Sequence, residues 1–154
     1  MKRRDIVLPA LALAALAAPL QPLLAARALP KLVVYRSASC GCCGAWVDHM
    51  AAAGFPIEVH LVGDTTAARK RLGMPERFGS CHTALVGGYV VEGHVPADEV
   101  KRLLASRPDA IGLAVPSMPP GSPGMEMGDR RDPYTVFLID HGGRETAFAR
   151  YPKA

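Results

Sequence analysis

The sequence lacks a nucleotide-binding motif, an internal repeat and a long linker, and most of its charge excess lies in its N-terminal segment. Without Lys2, Arg3, Arg4, Asp5 and Arg27, the 18 basic and 14 acidic residues become 14 and 13, a net charge of +1. Nothing in the remaining chain therefore predicts a nucleic-acid partner. At 154 residues, 49% of them hydrophobic, the chain is long enough for one globular domain with its own core.

The chain also lacks an unbroken hydrophobic run of the kind that makes a retained membrane helix. Residues 6–24 are apolar and uncharged, but three prolines interrupt them. Lys2-Arg3-Arg4 precedes this stretch and the cleavage-like Ala26-Arg27-Ala28 follows it, so residues 1–28 are predicted to be a signal peptide and residues 29–154 the mature domain. The arginine pair is compatible with either Sec or twin-arginine export. Both routes predict a periplasmic protein without a stable membrane anchor after cleavage.

Cysteine is scarce, yet three of the four cysteines fall within Cys40-Gly41-Cys42-Cys43. A strand-like run, Leu32-Val33-Val34-Tyr35, precedes this motif, and a helical pattern that ends at Gly54 follows it. The cysteines are therefore predicted to lie at the N-terminus of a helix, where unpaired N–H groups and the helix dipole favour thiolate over thiol.

The spacing of the cysteines argues against a framework of two structural disulfides. A bridge between the neighbours Cys42 and Cys43 would be strained, and Cys81 could pair with only one cysteine of the motif. Three thiols within four residues, with Cys81 as a fourth, favour a thiolate-rich metal site. Two alternatives stay open: a thiol-disulfide oxidoreductase that uses the C-x-x-C pair Cys40 and Cys43, and a structural domain held by disulfides.

The pattern of the remaining chain predicts an α/β domain with the order β-α-β-α-β-β-α. After the first strand and helix come a strand at 57–62, a short helix at 65–72 capped by Asp64, a hairpin turning at Gly87-Gly88, and a helix whose first residue is Pro96. This is the connectivity of a thioredoxin-like fold. A loop at 116–128 and a hairpin formed by 134–139 and 145–151 extend it. Cys81 stands where that fold usually has its cis-proline, which predicts proximity to the C-x-C-C motif.

Five stretches of the chain carry a resemblance to a known family: Cys40-Gly41-Cys42-Cys43, Ser80-Cys81-His82-Thr83-Ala84, and residues 88–96, 112–116 and 121–126. Together they resemble the CopG-like copper-resistance proteins, an exported metal-binding family long described as a domain of unknown function. The resemblance covers about residues 32–151. It implies a thioredoxin-like fold, Cu(I) binding by the C-x-C-C cluster and Cys81, and a role in periplasmic copper handling with possible copper redox chemistry. Copper ions and other periplasmic copper proteins are the partners that this resemblance implies.

Ligand chemistry favours the same metal independently. Soft thiolates prefer Cu(I), with Zn(II) as the main competitor. The C-x-C-C motif is crowded for one tetrahedral zinc ion, whereas bridging thiolates suit Cu(I). His82 is a candidate ligand or an orienting group, the alternative being an ordinary loop histidine.

The other candidate ligands are methionines. Met118 and Met125 lie in the proline- and glycine-rich loop that also contains Met127, and their thioethers are possible Cu(I) ligands; the alternative is gap-filling in a packed loop. His94 is interpreted as a hydrogen-bonded structural residue, and the other histidines as structural or exposed. The sequence therefore predicts a copper-binding protein, with thiol or copper oxidoreductase activity left open.

Overall fold

A computed structural model describes residues 28–153. The predicted signal peptide, apart from Ala28, lies outside the described residues. Within 28–153, no helix is both long and apolar enough to cross a membrane.

Seven strands and three α-helices alternate through the described chain. The elements are β1 Leu32–Arg36, α1 Gly41–Ala52, β2 Ile57–Leu61, α2 Thr65–Arg71, a 3-10 turn at Glu76–Phe78, β3 His82–Val86, β4 Tyr89–Glu92, α3 Ala97–Ser106, β5 Gly112–Ala114, β6 Tyr134–Ile139 and β7 Glu145–Tyr151. The predicted α/β class and the order β-α-β-α-β-β-α are confirmed over β1 to α3. The thioredoxin-like assignment itself stays a prediction.

The strands form one mixed sheet in the order β2-β1-β3-β4-β5-β6-β7. β1 and β2 are parallel, as the helical crossover between them requires, and β3 and β4 form an antiparallel hairpin in which Thr83 lies opposite Glu92. The C-terminal hairpin predicted at 134–151 is present and extends the sheet through β5. β5 was not predicted, because a strand of three residues has no recognisable alternation.

Local signals set most of the helix boundaries. The carboxylate of Asp64 accepts a hydrogen bond from Thr66 N at 2.9 Å and caps α2, as predicted. Gly54 follows α1 with a φ of 95°, a conformation that favours glycine. The prediction for Pro96 is wrong by one residue: it is the N-cap of α3, and Ala97 is the first helical residue.

The core lies on both faces of the sheet. Trp46 and Met50 of α1 pack in one cluster with Val91 of β4, and Phe78 packs in a second cluster with Val90. Because Val90 and Val91 are consecutive in a strand, their side chains point to opposite faces. The first face therefore holds α1, and the N-terminus of this helix reaches the sheet edge where β3 begins.

Candidate metal centre

The C-x-C-C motif starts helix α1. Cys40 is the N-cap, with extended backbone angles of φ −83° and ψ 95°, and Cys42 and Cys43 lie in the first turn. Cys43 is fully buried, whereas Cys40 and Cys42 are partly exposed. The predicted location of the three cysteines at a helix N-terminus is confirmed.

Cys81 comes to this motif from the loop before β3, as the topology predicts. Its Sγ lies 3.8 Å from Cys42 Sγ, and Cys42 Sγ lies 3.5 Å from Cys40 Sγ. The sulfur atom of Cys43 lies 3.5 Å from the carbonyl oxygen of Cys81. All four sulfur atoms lie within 4.8 Å of one another. A separation of 38 to 41 residues along the chain thus becomes a single sulfur cluster.

Two of these cysteines form a disulfide. Cys40 and Cys43 are bonded, while Cys42 and Cys81 are free thiols. The cluster can therefore offer four thiolates to a metal ion only after this bond is reduced. A pair of structural disulfides, which the spacing argued against, is not formed by the four cysteines, all of which the structure describes.

Burial and, to a smaller extent, the neighbouring Cys42 together raise the pKa of the Cys81 thiol to about 12. Cys81 is consequently protonated at neutral pH. Cys81 lies in a loop and not at a helix N-terminus, so it lacks the N–H groups that favour a thiolate in the C-x-C-C motif. A metal ion that binds here must displace the proton.

His94 is the residue that the sequence analysis undervalued. Its Nδ1 lies 2.8 Å from the carbonyl oxygen of Pro123, which can only accept, so Nδ1 carries the proton. Its Nε2 therefore presents a lone pair, 3.1 Å from Cys81 Sγ. Burial lowers the pKa of His94, which keeps the ring neutral. His94 is hydrogen-bonded, as interpreted from the sequence, and its free nitrogen also points at the sulfur cluster.

The sequence did contain a signal for this position. The β3–β4 register pairs Val86 with Tyr89 and Thr83 with Glu92. Continued by two residues, the same register sets His94 opposite Cys81. The predicted turn at Gly87-Gly88 was sufficient to count this pairing.

His82 lies beneath Cys81 and is fully buried. Its Nδ1 is 3.4 Å from Cys81 Sγ, and its ring lies 4.3 Å from the Trp46 ring and 5.0 Å from the His94 ring. Burial lowers the pKa of His82 to about 3, so it is neutral. Its Nε2 is buried without a hydrogen-bond partner among residues 28–153. Ligand atoms of Cys81, His82 and His94 lie within 4.8 Å of one another and form a second possible metal group.

Residues 116–128, here called the covering loop, pass over the N-terminus of α1. Gly124 lies against the Cys42 carbonyl, and the preceding Pro123 holds His94. Met118 and Met127 are 46% and 61% exposed, whereas Met125, next to Gly124, is partly buried. The covering loop thus contacts the sulfur cluster and His94 through its backbone at Pro123 and Gly124.

The remaining histidines lie outside the cluster, in agreement with their interpretation as structural or exposed. His49 Nε2 accepts a hydrogen bond from Ala97 N at 3.0 Å. His60 bonds to Glu58 on exposed β2, and His141 bonds to Asp109 at 3.1 Å.

Comparisons with known proteins give one family-model match and two similar solved structures. A family model described as a protein of unknown function, DUF411, matches residues 78–125, which include Cys81 and His94. Two solved structures, named copper resistance protein copG form 1 and form 2, are each 46% identical to this chain with a TM-score of 0.76. They cover 81% and 80% of this chain, and the match covers 99% of each of them. None of the curated proteins matches. At this identity, over almost the whole length of both solved chains, the protein belongs to the CopG family of copper resistance proteins.

Proposed function

We propose that this protein binds Cu(I) in the periplasm, through the thiolates of Cys40, Cys42, Cys43 and Cys81, and thereby serves copper resistance. The observation that carries the proposal is the cluster of four sulfur atoms within 4.8 Å of one another. The name of the 46%-identical structures, copper resistance protein, supports copper as the metal. Thiolates are soft ligands that prefer Cu(I), and Zn(II) is the main competitor.

The redox state of the cluster controls how many ligands it offers. Reduction of the Cys40–Cys43 disulfide consumes two electrons and two protons and yields two thiols. Each thiol then loses its proton when it binds copper, so copper binding is coupled to proton release. The reduced, sulfur-rich site favours Cu(I) over Cu(II).

Nitrogen and thioether ligands complete the proposed site. His94 Nε2, with its lone pair 3.1 Å from Cys81 Sγ, is proposed as a further ligand. His82 is proposed to orient Cys81 through its Nδ1 contact or to bind directly. Met118 and Met125 are proposed as accessory ligands from the covering loop.

An anaerobic competition titration tests this function. The fully reduced protein is titrated with Cu(I) against a chromogenic chelator, and thiol alkylation with mass spectrometry identifies the protected cysteines. We expect at least one copper per chain and protection of all four cysteines. Cys81→Ser should weaken Cu(I) binding by more than about 100-fold, since loss of a residue that only hydrogen-bonds to a metal ligand already lowers metal affinity about 10–100-fold.

The histidines and methionines are tested in the same assay. His94→Asn should weaken Cu(I) binding by about 10–100-fold. His141→Asn is the matched control, because His141 is exposed and bonds to Asp109, and it should bind copper as the wild type does. Met118→Leu and Met125→Leu measure how much each thioether contributes to the Cu(I) affinity. If Cys81→Ser binds copper as tightly as the wild type, the four-cysteine site is refuted.

A thiol-disulfide oxidoreductase is the second candidate function, because Cys40 and Cys43 form the disulfide and Cys42 Sγ lies 3.5 Å from Cys40 Sγ. Reduction of a disulfide-bonded peptide by the reduced protein tests it. Rapid peptide reduction, with all copper left on the chelator, would favour this function over copper binding.

A further inference from the structure

We propose that the buried pair Arg69 and Glu92 is a positioning device that holds the peptide unit before Cys81 and so fixes this cysteine against the C-x-C-C motif. The inference rests on the proposed function, in which Cys81 is a copper ligand. Arg69 comes from α2 and Glu92 ends β4. They are 3% and 0% exposed, and Arg69 Nε donates to Glu92 Oε1 at 2.9 Å.

Both members of the pair bind the backbone of Ser80. Glu92 Oε1 accepts a hydrogen bond from Ser80 N at 2.7 Å, and Arg69 Nη2 donates to Ser80 O at 2.8 Å. The N–H and the C=O of one residue are thus held from two elements, and the next residue is Cys81. The other oxygen of Glu92 accepts from the Thr83 hydroxyl. The carboxylate therefore binds the loop on both sides of Cys81.

The pair also links the other parts of the site. Glu92 ends β4 two residues before His94, so the same carboxylate joins the strand that leads to the histidine to the loop that carries Cys81. The Ser80 hydroxyl in turn donates to Ser117 O in the covering loop. Cys81, His94 and the covering loop consequently share one fixed backbone point at Ser80.

Global stability does not account for a charged pair at this depth. A buried ion pair contributes little compared with well-packed apolar residues, because the desolvation of both charges offsets their attraction. Burial raises the pKa of Glu92, while its hydrogen bonds from Thr83, Ser80 and Arg69 lower it. What apolar residues cannot supply is the directional bonding of both backbone groups of Ser80.

The double variant Arg69→Met/Glu92→Leu tests the inference, because it removes the bonds to Ser80 without leaving a lone buried charge. We expect it to bind Cu(I) about 10–100-fold more weakly in the competition titration. In the Cys81→Ser background the same double change should weaken Cu(I) binding much less than in the wild type, since the ligand that the pair positions most directly is gone and only the links to His94 and the covering loop remain. Additive losses in the two backgrounds would overturn the inference.

A metal-free readout separates this inference from the copper proposal. With the Cys40–Cys43 disulfide intact, only Cys42 and Cys81 are free to be alkylated. The double variant should raise the labelling rate of Cys81 relative to Cys42 by about tenfold, because the loop that buries Cys81 opens more often. An unchanged ratio would overturn the inference even if the protein binds copper. A raised ratio would support it even if the wild type binds none.

Two further variants exclude a general loss of structure. Glu99→Leu/Arg102→Met removes another pair with a buried glutamate, on α3, and should leave both readouts at wild-type values. Arg69→Met/Glu92→Gln retains an acceptor oxygen for Ser80 N without leaving a lone buried charge, and it should keep part of the copper affinity that the first double variant loses. If the control pair lowers copper affinity equally, the effect is general destabilisation and the inference fails. If the double variant does not fold, Arg69→Lys, which shortens the reach to Ser80 O, is measured in its place with the same criteria.

Discussion

Gly124 is the point at which the covering loop contacts the cysteine helix most closely. Its φ is +82°, and a Cβ atom there would lie 2.6 Å from the Cys42 carbonyl oxygen and 2.7 Å from Trp46 N. Both are backbone atoms of the first turns of α1, which cannot rotate away as a side chain can. Gly124→Ala is therefore expected to push the covering loop off the sulfur cluster.

The magnitude follows from two separate costs. A non-glycine residue in a left-handed conformation costs about 1–2 kcal/mol, and overpacking against a rigid neighbour costs about 1–3 kcal/mol. The free energy of unfolding should fall by about 2–5 kcal/mol. Gly128→Ala is the matched control: its φ is +56°, and within the described chain no atom other than those of Gly128 and its two chain neighbours lies within 4 Å of the added Cβ. The free energy of unfolding of Gly128→Ala should therefore fall by the first cost alone, about 1–2 kcal/mol.

Urea unfolding of the wild type and both variants measures these differences, and the Cu(I) competition titration follows on the same samples. Because Pro123 O holds His94 at 2.8 Å, displacement of the covering loop by Gly124→Ala should also weaken copper binding. Gly128→Ala should bind copper as the wild type does. Equal unfolding free energies and equal copper affinities for the two variants would refute the reasoning.

Two further predictions concern the buried rings beneath Cys81. The pKa of His82 is about 3 against an ordinary value of 6.5, so between these pH values the unfolded chain binds a proton that the folded chain does not. The free energy of unfolding of the metal-free protein should therefore fall by on the order of a few kcal/mol as the pH drops from 7 to 4. In urea unfolding, the free energy of His82→Asn should depend less on pH than that of the wild type. Parallel pH dependences for the two proteins would contradict the lowered pKa of His82. Trp46, the single tryptophan, lies 4.3 Å from His82, so one equivalent of Cu(I) bound at the sulfur cluster should change its fluorescence; unchanged emission with bound copper would locate the metal elsewhere.

Much of this fold follows from local signals. The β-branched run of β1, the Asp64 cap and the Gly87-Gly88 turn each depend on a few neighbouring residues, and all three predictions are confirmed. β5 forms because β4 and β6 flank it in the sheet, and its three residues carry too little local pattern to show this.

Some residues of the candidate site could likewise be predicted from the sequence, and others only appeared in the structure. The C-x-C-C motif was found because its three thiols are adjacent, and Cys81 was brought to it by the predicted topology. The role of His94 was underestimated because it depends on which ring nitrogen donates to the Pro123 carbonyl, and Pro123 lies 29 residues further along the chain. The oxidised Cys40–Cys43 pair also emerged only in three dimensions, since the spacing alone admitted several sulfur arrangements.

Local patterns were sufficient to predict the α/β class, the order of the first seven elements and a thiolate-rich motif at a helix N-terminus, because helix caps, turns and alternation act over a few residues. The packed fold brought distant groups to that motif. It set His94 opposite Cys81, laid Gly124 on the cysteine helix, and placed Arg69 and Glu92 on both backbone groups of Ser80. These contacts depend on sheet register and on packing between elements far apart in the chain, and no local pattern encodes them.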